Sequence, residues 1–261
     1  VQKHVSDWDT FYATGSELAA KGYKLTATVN DSYRVYSNNV SSKWVEDGKL
    51  NIDPQFKAWA DAEKASYEAG QTTTGELWSD EWSAGFYPDG KVFAYFGPAW
   101  LINFSMGQDD EKSIAHAGGW GATEGPQAFY WGGTWICAAT GTDNPTLVAD
   151  IMRKMTTDET ILKDIISKDS DCINNKNVLS SLASDDSFGF SVLGGQNPFG
   201  LFTENVEKID LSELSAYDQG CNESFQKIMK DYFSGQYATY DEAIEAFKQI
   251  VATKYPAITV E

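Results

Sequence analysis

Pro88-Asp89-Gly90-Lys91-Val92-Phe93-Ala94-Tyr95-Phe96-Gly97-Pro98-Ala99-Trp100 is the run from which the architecture can be read outward. Pro88-Asp89-Gly90 is a turn. The residues from Lys91 to Phe96 are then apolar and aromatic enough for a strand. Gly97-Pro98 ends it, because Pro brings no ladder donor and Gly frees the backbone to turn. Trp100 is thereby left just past a strand end.

Upstream, Asp7 or Asp9 caps a helix with Phe11, Gly15 and Leu18 on one face, and Gly22 is its C-terminal stop. Tyr23 to Val29 reads as a strand ending at Asn30-Asp31-Ser32, before Tyr33, Arg34 and Val35. A loop through Asp47-Gly48 reaches Asp53-Pro54, the start signal of a helix over Gln55 to Ala69. Phe56, Trp59, Ala60 and Tyr67 fall near one stripe of it. A short aromatic helix is expected around Trp78 to Ala84, with Trp78 and Trp82 on one face in packing roles.

Downstream, Gly118 to Gly133 is glycine-rich and holds Trp120, Phe129, Tyr130 and Trp131, which suits an irregular crossing segment. A buried strand is expected over Thr134 to Thr140. Helices follow over 146–156, lined by Leu147, Ile151 and Met155, and over 158–168, lined by Ile161, Leu162, Ile165 and Ile166. Asp218 caps a helix carrying Phe225, Ile228, Met229 and Tyr232. Thr239 or Asp241 opens a last one with Ala243, Ile244, Phe247, Ile250 and Val251, stopped at Tyr255-Pro256. Strands separated by helices make the class α/β.

The 261 residues carry 38 acidic against 20 basic side chains, a net charge of −18 that disfavours nucleic acid or an anionic membrane surface as partner. No apolar run approaches the roughly 20 residues of a membrane helix. His4 and His116 are the only imidazoles and neither sits near a cysteine pair at ligand spacing, so no metal site or cofactor is expected. HExxH, GxSxG and GxxxxGK[ST] are all missing. A glycosidase needs only two carboxylates and stays open on this count. Nine Trp, 13 Tyr and 14 Phe are an unusual load that raises the odds of a ligand-facing aromatic surface. Cys137, in Trp135-Ile136-Cys137-Ala138-Ala139, reads as a buried thiol. Cys172 and Cys221 either pair or remain separate. A chain starting at Val1 is expected to be a mature, trimmed or partial product.

Five stretches in order carry a resemblance: Trp8-Asp9-Thr10-Phe11 with Gly22; Asn30-Asp31-Ser32-Tyr33; Gly90-Lys91-Val92-Phe93 into Gly97-Pro98-Ala99-Trp100; Gly132-Gly133 before Asn144 and Thr157-Asp158-Glu159; and Ser234-Gly235 with Tyr240-Asp241-Glu242-Ala243. Together they resemble the carbohydrate-binding extracytoplasmic solute receptors of ABC importers, the maltose-binding-protein-like group of family 1. The resemblance implies a periplasmic-binding-protein-like two-lobed fold, here mostly the second lobe (1–128 and 176–261) plus a fragment of the first (129–175). Nothing in the sequence corresponds to the large first-lobe section with which such a receptor starts. That section is then either a separate chain or lost.

The same resemblance implies an extracytoplasmic protein, periplasmic or a cell-surface lipoprotein. It would bind a carbohydrate, an oligosaccharide by preference, and hand it unaltered to membrane permease subunits. Sugars offer apolar C–H faces and polar edges, so flat rings and bidentate polar groups are the expected recognition elements. Trp100 matches the stacking aromatic of the family's turn, and Asp31 and Tyr33 match its carboxylate and second aromatic. The Arg34 fork either clamps hydroxyls or pairs with a carboxylate. Trp131, Gly132 and Gly133 mark the crossing, where glycine admits backbone close to a ligand or simply permits a hinge. Gln196 could reach hydroxyls from its loop. Asp218 faces the cleft or caps its helix. No catalytic residue is implied; the rival readings are a glycoside hydrolase and a non-catalytic carbohydrate-binding module.

Overall fold

A computed structural model describes residues 1–169 and 171–261. Helix α1 (Trp8–Ala19) starts at Asp7, whose carboxylate accepts from Thr10 N at 2.8 Å, and Phe11 and Gly15 face inward from it. Strand β1 (Lys24–Thr26) follows and leads through a buried turn into α2 (Tyr33–Asn38). The hairpin β2 (Val45–Glu46) and β3 (Lys49–Leu50) pairs Val45 with Leu50. Its turn residues Asp47 and Gly48 both have positive φ, the conformation that matches strand twist. Helix α3 (Pro54–Glu68) opens with Pro54 at its first position and Asp53 capping Gln55 N at 2.8 Å.

The short α4 (Asp80–Ser83) precedes β4 (Val92–Ala94), which lies parallel to β1 with Lys24 opposite Val92 and Thr26 opposite Ala94. Leu25 N and Val29 N donate to Gln71 O and Thr73 O, so β1 is flanked on its other side as well. Helix α5 (Ala99–Phe104) begins immediately after Gly97-Pro98. Then come α6 (Pro145–Thr157), α7 (Glu159–Asp169), α8 (Lys176–Ala183), α9 (Phe199–Val206), α10 (Asp218–Phe233) and α11 (Tyr240–Lys254). Helix α11 carries a full capping box between Thr239 and Glu242.

Three apolar clusters hold these elements. Trp44, Phe56, Trp59, Phe225, Met229, Phe233 and Phe247 knit α3, α10 and α11 together. Trp82, Phe86, Val92, Leu101, Ile102, Ile166, Val178 and Phe199 form a second core, so α7 and α8 share an interior with α5. Phe11, Leu25, Val35 and Phe96 seal α1 against the strands. A buried polar knot joins the first and third clusters: Glu63 accepts from Tyr12 OH at 2.8 Å and Ser32 Oγ at 2.5 Å, and Ser32 Oγ accepts from Trp59 Nε1 at 3.1 Å. Burial pushes the Glu63 carboxyl up to about 8.

Five expectations are corrected. Thr134 to Thr140 forms no strand: Trp135 is 79% exposed and Cys137 is exposed rather than buried. A strand needs a neighbour to satisfy its backbone, and nothing among the described residues pairs with this run. Helix α6 is present, but its stripe Leu147, Ile151 and Met155 faces outward. Trp78 lies before α4 with φ 70°, not on a shared helical face with Trp82. The strand expected over Tyr23 to Val29 shrinks to three residues, since Thr28 and Asp31 fold the rest into a turn. Cys172 and Cys221 are free thiols packed in different clusters.

Candidate functional site

The strand end that closes the Lys91–Phe96 run places Trp100 on the first turn of α5. Gly97 leaves room for Leu101 there: a Cβ would come within 2.1 Å of Leu101 Cδ2 and 3.0 Å of Leu101 Cβ, so the leucine would have to shift. Trp100 is half-buried and stacks on Trp78, with ring centroids 5.6 Å apart and planes at 26°. Trp131 closes the group, 6.1 Å from Trp100 at 73° and 6.0 Å from Trp78 at 59°. Three indoles from three separate segments thus share one patch at the protein surface. Trp78 is 49% exposed, and Phe104 stands beside Trp100 almost fully in solvent.

The crossing segment is tied to α2. Asn38 Oδ1 accepts from Tyr130 N at 2.7 Å, and Asn39 Nδ2 donates to Ala128 O at 2.9 Å. Gly132, at φ 74°, brings its Cα so close to Trp100 that a Cβ would sit 3.4 Å from the indole Nε1. From α2, the Arg34 guanidinium lies over the Trp131 ring, 5.4 Å from its centroid. Among the described residues Arg34 forms no ion pair with a carboxylate, and its contact is with the Trp131 ring.

Behind the patch sits Asp31, fully buried. Its Oδ1 accepts from Trp82 Nε1 at 2.9 Å and its Oδ2 from Thr28 N at 2.8 Å. Burial pushes this carboxyl up to about 7, partly offset by those donors. Both Asp31 oxygens are thus engaged in the interior, with no exposure to solvent. Tyr33 is likewise interior: its OH donates to Asn222 Oδ1 at 2.7 Å and its ring meets Trp59 edge-on. Both are corrected from ligand-facing to supporting positions, since the turn that follows β1 folds inward rather than toward the surface.

Gln196 is engaged by the crossing segment and Asp218 by its own loop. The Gln196 amide clamps Ala122, accepting from its N at 2.8 Å and donating to its O at 2.7 Å. Asp218 is the first residue of α10, and its Oδ1 accepts from Ser215 N and Oγ at 3.1 and 2.5 Å. The structure thus brings Trp100, Trp131, Gly132 and Arg34 together, with Gly133 next in the chain at φ 116°. It adds Trp78, which sequence reasoning set aside as packing. The available signal was Ser79-Asp80, a helix start that leaves Trp78 outside the helix.

No protein-family model matches the sequence, and no curated protein matches it. Among solved structures, the chain is similar to a crystal structure described as extracellular solute-binding protein family 1. The two are 17% identical with a TM-score of 0.78, over 95% of this chain and 64% of the other.

The fold is a solute-binding-protein fold.

The chain spans 64% of the length of that relative. In open α/β sheets ligands gather beyond the carboxyl ends of the strands, and the turn after β4 that leads to Trp100 lies past such an end. No helix among the described residues is long and apolar enough to cross a membrane.

Proposed function

We propose that this chain belongs to an extracytoplasmic solute receptor whose ligand is a carbohydrate, delivered without chemical change to the membrane subunits of an ABC importer. The observation that carries the reading is the surface group of Trp78, Trp100 and Trp131 at the end of a parallel strand. Indole faces stack on the C–H faces of pyranose rings, and rings set at steep angles to one another grip a ligand from more than one side. The Arg34 guanidinium, already lying over Trp131, adds a planar set of donors for hydroxyl edges.

The division into a second lobe (1–128 and 176–261) and a first-lobe fragment (129–175) belongs to the same proposal. It is supported by the outward apolar stripe of α6 and the unpaired run from Thr134 to Thr140, which suit the wall of a lobe completed by further polypeptide. That polypeptide is a proposed partner, along with the sugar and the permease.

Titration with maltotriose, cellotriose, xylotriose and raffinose, followed by tryptophan fluorescence, tests the reading. A saturable change with at least one of them is expected. Flat titrations with all four, on a chain shown to be folded, count against a carbohydrate ligand.

A further inference from the structure

The indole patch does not stand on its own atoms. Trp78 is joined to the loop before α4 with a positive φ and is half in solvent, so local backbone preference does not fix its ring. What touches its inner side is Trp82, edge-on at 4.7 Å between centroids. Trp82 is 2% exposed, also meets Phe86 and Tyr95 edge-on, and has one polar atom to satisfy. That atom, Nε1, donates to Asp31 Oδ1. The second oxygen of Asp31 is anchored to the turn by Thr28 N. A continuous path therefore runs from the β1 turn through a buried carboxylate and one indole to the exposed stack.

We propose that Asp31 is a positioning residue for this patch, holding Trp82 at the angle that sets Trp78 in stack with Trp100. The inference deepens the ligand-platform reading and rests on it for its binding consequence. A buried carboxyl group accepting two N–H donors is directional where ring packing alone is not. Without it, the Trp82 indole is free to rotate within its apolar pocket, and Trp78 loses the surface that backs it. The carboxylate touches no ligand in this arrangement and acts only through Trp82.

The test compares Asp31→Leu, which keeps the size of the side chain but accepts no hydrogen bond, with Trp82→Phe, which keeps a ring but loses the donor. The readout is the exciton-coupled indole band in circular dichroism, defined as the part of the wild-type signal that Trp100→Phe removes, to which Trp82 does not itself contribute a contact. Both variants are expected to melt cooperatively, to lose most of that band, and to bind the tightest of the four trisaccharides about tenfold more weakly, the equivalent of one lost aromatic stack. A folded variant that retains the whole band overturns the proposal. So does failure of both variants to fold, which would make Asp31 a foundation of the fold and not of the patch. If no sugar binds the wild type, the platform reading falls while the band still decides the role of Asp31.

Discussion

Trp78 and Trp100 stack at 5.6 Å although they come from opposite sides of the β4 strand, one before α4 and the other on the first turn of α5. Gly97-Pro98, three residues past the end of β4, leads directly into α5 and so puts Trp100 on its first turn, where it meets Trp78.

Removing one member of that pair separates binding from folding. Trp100→Ala is expected to weaken sugar binding by about 1–3 kcal/mol, the worth of an aromatic stack. Its effect on stability should be smaller, since the ring is only half-buried. Titration calorimetry and thermal melting of the same variant check this. A large drop in melting temperature with unchanged affinity would assign Trp100 to the core.

Gly90 sets the approach of β4. A Cβ there would lie 2.2 Å from Ala84 O and 2.6 Å from Gly85 Cα, both backbone atoms with little room to give. Gly90→Ala is expected to cost about 1–3 kcal/mol of unfolding free energy, the usual range for overpacking. Chemical denaturation measures it; a neutral result would mean that the turn repositions freely.

Two buried carboxyls give the stability a pH dependence of defined sign. Asp31 and Glu63 are held protonated in the folded state up to about 7 and 8, well above their unfolded values, because burial disfavours the charged forms. The folded chain then binds more protons than the unfolded one across this interval, so stability is full below the unfolded values and falls as pH rises toward 8. Urea midpoints are expected to be higher at pH 5 than at pH 8, and Glu63→Gln is expected to flatten the trend. A midpoint that rises over the same interval would contradict the placement of these groups.

The thiols sort by exposure. Cys137 is in solvent, whereas burial pushes Cys172 and Cys221 up to about 11. A disulfide reagent at pH 8 is expected to modify one thiol per chain quickly and the other two only on unfolding. Fast reaction of all three would show that the clusters around Cys172 and Cys221 are open.

The elements that were legible in the sequence are those whose signals are local. Asp7, Asp53-Pro54 and Thr239 start α1, α3 and α11 through side chains that bond their own first turns, so no distant residue is needed to read them. The Gly-Pro turn placed Trp100 for the same reason. Thr134 to Thr140 failed because an apolar run becomes a strand only beside a partner, and periodicity carries no information about one. Asp31 and Tyr33 were assigned the right turn but the wrong direction. Whether a side chain after a strand points out or in depends on what waits inside, here the Trp82 and Asn222 partners that lie far off in sequence. Trp78 was missed because spacing of four from Trp82 suggests a shared helical face, whereas the helix starts only at Ser79-Asp80 and Trp78 precedes it at positive φ.

The central claim, a ligand platform of Trp78, Trp100 and Trp131, is tested most directly by the indole N–H resonances during a trisaccharide titration. The account predicts saturable shifts confined to these three, with the buried Trp44 and Trp59 unmoved. Shifts centred on other tryptophans, with Trp78, Trp100 and Trp131 silent, would contradict it.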